Sequence, residues 1–433
     1  MKIYFKTFGC SYNFAESEIM AGILEKEGHE IVSNLKDCDL SILNSCTVKN
    51  SADTKFLRAI KESEELGKKI ILAGCYTQAR KTHFLNSKYP VIGTFNITKI
   101  AELVNKNSLN VKSILSVDDE LKINHPRVLN NNVVGIIPIS QGCLDACTYC
   151  LTRFARGKLH SYTKEEILEE IFYLTKKNVK EIWLTSQDNG CYGFDLGYNL
   201  VDLLKLIVKN KKKIKEISES GFIKIRIGMA NPRHFLSFYE DLIEILKDDI
   251  FYKFLHVPIQ SGSNKVLLEM KRNHNVEDFK KMVNDFKKEI PDILIATDLI
   301  VGFPTETEND FHETMKLVEE IDFDVINISR FWTRPYTLAA KMKQLDSKTI
   351  KDRSKILSEY YYNRIKEKNN KYIGVIYKNC IMDENGTNNT SKFRNINYKQ
   401  IVVKNLFNIG DIKDIQITEA QTHHLIGKVI KND

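Results

Sequence analysis

Two hydrophobic periods alternate along the first hundred residues. KIYFKTF, DLSILNS and KKIILAG are short apolar runs with strand character. ESEIMAGILEKEG places its apolar residues at helical spacing and ends at Gly28, and a second helical stretch runs from about Ala52 to Leu66. Strands separated by helices imply right-handed crossovers, so this part predicts an α/β fold with a Rossmann or flavodoxin-like parallel sheet. From about Asn105 to Asn132 the pattern is polar and irregular, as in a linker. The alternation resumes at Val133 and continues to about Ser329 through VVGIIPIS, KEIWLTS, IKIRIGM, FLHVPI, ILIATDLIVGF and VINISRF, with amphipathic stretches between them. About six β/α units predict an open sheet or a partial TIM-like barrel, with chemistry at the carboxyl ends of its strands. A charged helix from about Ser347 to Asn370 leads into short alternating strands that predict a small β-barrel. The expected division is residues 1–110, a linker over 111–132, a central domain over 133–369 and a C-terminal domain over 370–433.

The composition, 42% hydrophobic and 28% charged, excludes a disordered chain. No run approaches the 18 or so uninterrupted apolar residues that span a bilayer. Neither end reads as a signal peptide or tail anchor, so no membrane partner and a cytoplasmic location are expected. Nine cysteines in a reducing compartment point to metal or redox chemistry rather than to disulfides. The net charge of +8 is compatible with a polyanionic partner and no more than that.

Cys143, Cys147 and Cys150 lie in C-x3-C-x2-C spacing directly after the strand VVGIIPIS. Three thiolates on one loop can hold three irons of a 4Fe–4S cube and leave the fourth free to chelate the amino and carboxylate groups of S-adenosylmethionine (SAM). Tyr149 is suited to packing on the cofactor's adenine. A zinc site is the other reading, but it needs a fourth ligand, and the nearest histidine, His160, is ten residues on. Cys10, Cys46 and Cys75 are far apart in sequence, yet each follows an apolar strand (KIYFKTFGC, LSILNSC, KIILAGC). In a parallel sheet those strand ends share one edge, so the three favour a second cluster over buried apolar cysteines. Cys38, Cys191 and Cys380 read as structural, although Cys191 follows LTSQDNG near the expected active face.

Together these residues resemble the methylthiotransferase family, and within it the archaeal and eukaryotic branch acting on N6-threonylcarbamoyladenosine in tRNA. TFGCSYNFAESE, LNSCTV, LAGCYTQ, GCLDACTYCLTRFARGKLHSY, EIWLTSQDNGCYG, RIGMANP, FLHVPIQSGS, ATDLIVGFPTET and NISRFWTRP carry the resemblance over nearly the whole chain. It implies an N-terminal domain with an auxiliary 4Fe–4S cluster, a partial barrel with the radical SAM cluster, and a C-terminal TRAM barrel that grips RNA. The cofactors implied are two 4Fe–4S clusters and SAM. The partners are tRNA, a reductant such as a flavodoxin or ferredoxin, and a sulfur donor. One SAM would supply a methyl group to sulfur at the auxiliary cluster. The other would generate a radical that takes hydrogen from C2 of the modified adenine, where the methylthio group is then placed. Ser186, Gln187, Arg226, Asn231, Gln260 and Ser261, at or near strand ends, become candidate SAM contacts. Arg153, Arg156 and Arg334 become candidate contacts to substrate phosphate or carboxylate. The chain departs from the family at Tyr336 and Leu338, where Gly and Pro are usual.

A sister branch modifies a ribosomal-protein aspartate, and another modifies isopentenyladenosine. Arg334–Pro335 favours the tRNA branch over the first, and ARGKLHSY and SQDNGCYG favour the threonylcarbamoyl type over the second. From Lys371 onward nine Lys and Arg stand against six Asp and Glu, interleaved with Tyr372, Tyr377, Phe393, Tyr398 and Phe407. Such a mixture suits stacking on unpaired bases. A non-catalytic RNA-binding protein whose cysteines hold structural zinc is the alternative from a different class.

Overall fold

The computed structural model describes residues 1–47, 50–105, 113–117 and 122–430. Six parallel strands form the N-terminal sheet: β1 (Lys2–Phe8), β2 (Glu30–Val32), β3 (Leu40–Ser45), β4 (Lys69–Gly74), β5 (Val91–Ile92) and β6 (Ser113–Ile114), in the order β2-β1-β3-β4-β5-β6. β3 is buried at every position, as a central strand covered on both faces must be. Helix Ser11–Lys26 covers one face of the sheet through Ile19, Met20 and Leu24.

The central domain is an open barrel. β7 (Val134–Pro138) is followed by a short antiparallel pair, β8 (Ser140–Gln141) and β9 (His160–Ser161). Then come β10 (Glu181–Thr185), β11 (Lys224–Ile227), β12 (Phe254–His256), β13 (Leu294–Val301) and β14 (Val325–Arg330). Two parallel three-stranded sheets, β7-β10-β11 and β12-β13-β14, meet through a bridge between Ile225 and Phe251. Residues alternate along each strand. Ile182, Leu184, Ile225, Ile227, Leu255 and Ile295 face the surrounding helices, whereas Val134, Ile136, Trp183, Phe254 and Ala296 face the lumen. The expected six-unit partial barrel is therefore present.

Helix Ser347–Asn370 leads to a closed antiparallel-rich barrel of β15 (Ile376–Asn385), β16 (Thr390–Arg394), β17 (Gln400–Lys404), β18 (Ile412–Ala420) and β19 (Leu425–Val429), in the order β15-β16-β17-β19-β18. Closure removes the free edges that short strands would otherwise expose. This barrel docks on the amino ends of the central strands. Ile396 O accepts from Lys253 N at 2.8 Å, Lys180 Nζ donates to Gly410 O at 2.6 Å, and Asn397 Nδ2 donates to Asp292 O. Tyr398, with φ +62°, enters the lumen, its ring centroid 5.0 Å from that of Tyr252, 5.1 Å from Phe254 and 6.2 Å from Trp183.

The segment expected as a linker is more firmly held than a tether. Residues 111–112 and 118–121 lie outside the described residues, but Ser113–Ile114 pair with β5, so the N-terminal sheet continues past residue 110. Lys122 and Arg127 are both buried. Lys122 Nζ lies 2.9 Å from Glu16 and Arg127 Nε 2.9 Å from Glu170, so distant carboxylates compensate both cations. Among the described residues no helix is long and apolar enough to cross a membrane.

Candidate functional site

Parallel register brings the first three cysteines to one edge. Phe8 pairs with Ser45, and Ser45 with Gly74. Cys46 and Cys75 are therefore each one residue past the ladder and Cys10 two past it. The turns are tight. Gly9 has φ +151°, and a Cβ there would lie 2.7 Å from Cys46 Cβ; Gly74 has φ +98°, and a Cβ there would lie 2.2 Å from Asn44 Oδ1. Only a residue without a side chain turns the chain so closely. Buried Asn13 lies beneath the three thiols, accepting from Cys10 Sγ at 3.4 Å and placing Nδ2 3.8 Å from Cys75 Sγ. Hydrogen bonding from Cys46, opposed by burial and aided by the Arg156 charge, pulls the Cys75 thiol down to about 6. The same Cys46 contact lowers Cys10, and Cys46 itself is pushed well up. Cys10 and Cys75 thus favour thiolates, the form in which cysteine binds iron, while Cys46 holds the proton that both hydrogen-bond to.

The second trio sits on the loop between β8 and helix Thr152–Arg156. Gln187 Oε1 accepts from Gly142 N at 2.7 Å, and Thr148 N donates to Met270 O at 3.1 Å, which anchors the loop to the extension of β10 and to the end of helix Asn264–Glu269. Arg272, buried, donates to Pro258 O at 2.7 Å and places Nη1 3.8 Å from Cys147 Sγ. Burial pushes Cys147 up to about 11 against the pull of Arg272, and raises Cys150 too. Cys150 Sγ donates to Thr152 Oγ1 at 3.0 Å. Cys143 is turned toward Asp145, Asp188 and the buried Cys191, whose thiol is raised first by its hydrogen bond to Cys143. Among the described residues, that Cys143–Asp145–Asp188 group alone brings three ligand atoms within 4.8 Å of one another. Among the described residues neither cysteine trio brings all three sulfurs within 4.8 Å of one another, and each offers three thiols, a donor set that leaves one corner of a 4Fe–4S cube open rather than closing a zinc site.

The two trios face one another. Cys75 and Ala79, on helix Cys75–Ala79, pack on Ala155 of the helix that follows Cys150. Arg334, buried and paired with Asp53 at 3.5 Å, lies close enough to Cys46 and Cys150 for both to act on its charge.

The remaining expected contacts divide. Tyr149 packs beside Met270 and Phe303, with Arg272 near its hydroxyl. Ser186 and Gln187 stand at the carboxyl end of β10, with Ser186 Oγ bonded to Asn189 Oδ1. Asn231 Nδ2 donates to Asp145, which also holds Arg233 at 2.8 Å and His234 at 3.2 Å. Gln260, φ +78°, links β12 to β13 through its backbone, and Ser261 Oγ lies 3.4 Å from Thr314 Oγ1. Arg226 faces the lumen 4.7 Å over the Tyr398 ring and 5.2 Å over Trp183, an aromatic cage on the same side of the sheet as the docked barrel's plug. Arg153 is exposed. Arg156 departs from expectation: it is 1% exposed and sealed against Glu16, Tyr12 and Cys75, so no substrate phosphate reaches it. Tyr336, half-exposed at φ +68°, lies 6.3 Å from Phe154 in a small aromatic lip beside Arg153. Of the five C-terminal aromatics, Phe393 is core, Tyr372, Tyr377 and Phe407 pack on that core while staying partly exposed, and Tyr398 is in the lumen. Glu16, Lys122, Arg272, Asp145 and Asp188 were not legible as site residues, because nothing local in the sequence marks a charge that becomes buried. Cys191 had one signal, its place after a strand end.

This fold and its thiol loop define a radical SAM enzyme. The Radical SAM superfamily matches residues 137–318, and the Uncharacterized protein family UPF0004 matches residues 2–94. The fold is shared with the radical SAM methyltransferase TsrM from Kitasatospora setae, at TM-score 0.58 and 13% identity over 78% of this chain and 75% of that one. A probable threonylcarbamoyladenosine tRNA methylthiotransferase of Pyrococcus abyssi is 39% identical, covering 99% of this chain and all of the relative. The Homo sapiens threonylcarbamoyladenosine tRNA methylthiotransferase is 38% identical over all of this chain and 74% of its own length. The chain belongs to the threonylcarbamoyladenosine tRNA methylthiotransferase family. It is a methylthio-transferring enzyme that uses SAM and an iron–sulfur cluster, which sets aside the non-catalytic zinc protein.

Proposed function

We propose that the chain methylthiolates C2 of N6-threonylcarbamoyladenosine next to the anticodon of tRNA, forming 2-methylthio-N6-threonylcarbamoyladenosine. The observation that carries this reading is the meeting of the two trios: Arg156, six residues after Cys150, donates to Cys75 Sγ at 3.2 Å. Sulfur insertion needs a radical source and a sulfur carrier within reach of one carbon, and that contact supports such a pairing. Cys143, Cys147 and Cys150 would hold a 4Fe–4S cluster that binds SAM, and Cys10, Cys46 and Cys75 a second. When bound, these groups supply a 5′-deoxyadenosyl radical and a methylated sulfur.

The chain's own residues do the rest. Tyr149, Ser186, Gln187, Asn231, Gln260 and Ser261 are assigned to the SAM side of the site, with Arg226 below them. Arg153 and Arg334 are assigned to the substrate, Arg153 from an exposed lip and Arg334 from between the trios. An N-terminal domain that extends past residue 110 to include β6, a central domain over 133–369 and a C-terminal one over 370–433 would give each cluster its own domain and leave the C-terminal TRAM barrel to grip RNA. A flavodoxin or ferredoxin as reductant, a separate sulfur donor and a cytoplasmic location complete the reading.

Deleting the gene and analysing tRNA nucleosides by mass spectrometry tests the substrate. Loss of 2-methylthio-N6-threonylcarbamoyladenosine is expected; an unchanged level rejects the tRNA assignment in favour of the ribosomal-protein or isopentenyladenosine alternatives. Anoxically reconstituted protein is expected to hold about eight irons, four per cube.

A further inference from the structure

Beneath Cys75 lies a buried ionic cluster that the reaction as described does not use. Glu16 and Lys122 have fully buried side chains, and that of Arg156 is 1% exposed. Arg156 Nε donates to Cys75 Sγ at 3.2 Å, Nη2 donates to Glu16 Oε2 at 2.8 Å, and Nη1 donates to Glu16 Oε1. Lys122 Nζ donates to the same carboxylate at 2.9 Å, and the guanidinium lies 4.4 Å from the Tyr12 ring centroid. Two cations against one carboxylate leave one positive charge in excess. A buried net charge is costly unless something opposite answers it, and the nearest anionic groups are the thiolates of the Cys75 trio. A thiolate-ligated cluster is such a counter-charge. Hydrogen bonds to its sulfurs and nearby positive charge favour its reduced, more negative state.

We propose that Arg156 is the positioning residue of the second cluster. Its Nε–H holds the Cys75 thiolate, its partly neutralised charge raises that cluster's reduction potential, and its place on the helix after Cys150 fixes one cluster against the other. The proposal rests on the two-cluster reading.

The test uses the full chain carrying Cys143→Ala, Cys147→Ala and Cys150→Ala, so that any iron belongs to the Cys75 trio. Iron analysis and a redox titration followed by electron paramagnetic resonance are made after anoxic reconstitution. About four irons are expected with Arg156 intact. In that background Arg156→Gln is expected to move the potential negative and change the spectrum, and Glu16→Gln to move it positive. Opposite shifts are not what a merely structural role gives. Arg156→Lys keeps the charge but not the two-sided reach, so its potential is expected between those of Arg156→Gln and the unaltered background. If Arg156→Gln does not fold, Glu16→Gln and Arg156→Lys decide. Unchanged potentials, or shifts of one sign throughout, overturn the role of Arg156. A background that binds no iron with Arg156 present overturns the two-cluster reading itself.

Discussion

Cys75 illustrates how much one position depends on its neighbour. Its thiol reaches the trio because Gly74 holds φ +98° with Asn44 Oδ1 and Ser45 O crowding the space where a Cβ would stand. Gly74→Ala adds left-handed strain to a clash against backbone and is expected to cost about 3 kcal/mol or more. Urea unfolding should read that loss, and iron analysis should show content falling from about eight toward about four. Unchanged stability and iron would contradict the account of this turn. The cysteines themselves were legible, since a thiol directly after an apolar strand has a defined place in a parallel sheet. Arg156 was named from sequence only as a substrate contact: in sequence it is one more arginine past the thiol loop, and only Glu16, 140 residues away, makes its burial tolerable.

At the scale of elements, apolar periodicity anticipated the strands of the central barrel and the crossovers of the N-terminal sheet. It failed over the expected linker, because Lys122 and Arg127 look solvated until helix Ser11–Lys26 offers Glu16 and Glu18 and helix Lys164–Lys176 offers Glu170. That packing has a pH signature. Glu18 on the helix accepts from Asn130 N at 3.1 Å, and burial raises it from 4.5 to about 7 against the pull of Arg127. A raised folded-state value means that the folded chain binds this proton more tightly than the unfolded one. The resulting stability is fully present below about 4.5 and is lost as pH rises through about 7, up to about 3 kcal/mol in all. Glu18→Gln cannot titrate, so its stability relative to the unaltered chain should increase between pH 5 and pH 8 by about 2–3 kcal/mol. Denaturant midpoints across that range check it; parallel curves would rule it out.

The whole molecule is tied together by a side chain whose basic neighbours in sequence suggest a surface that stacks on bases. Tyr398 reads as one more aromatic among lysines, yet it fills the lumen between Tyr252, Phe254 and Arg226. Tyr398→Ala is expected to cost about 3–4 kcal/mol. Hydrogen exchange should quicken at Trp183 and Arg226 as well as in the C-terminal barrel; quickening confined to residues 370–430 would mean that the two barrels are energetically separate. Docking at the amino ends of the strands also puts the C-terminal barrel opposite the thiols, with β13, eight residues or roughly 26 Å of strand, between the two ends. An RNA held at one end and presenting its adenine at the other must reach along that flank. On the proposed division of labour the span acts as a ruler: a stem-loop too short for it should lose its hold on the far end while its base chemistry stays the same.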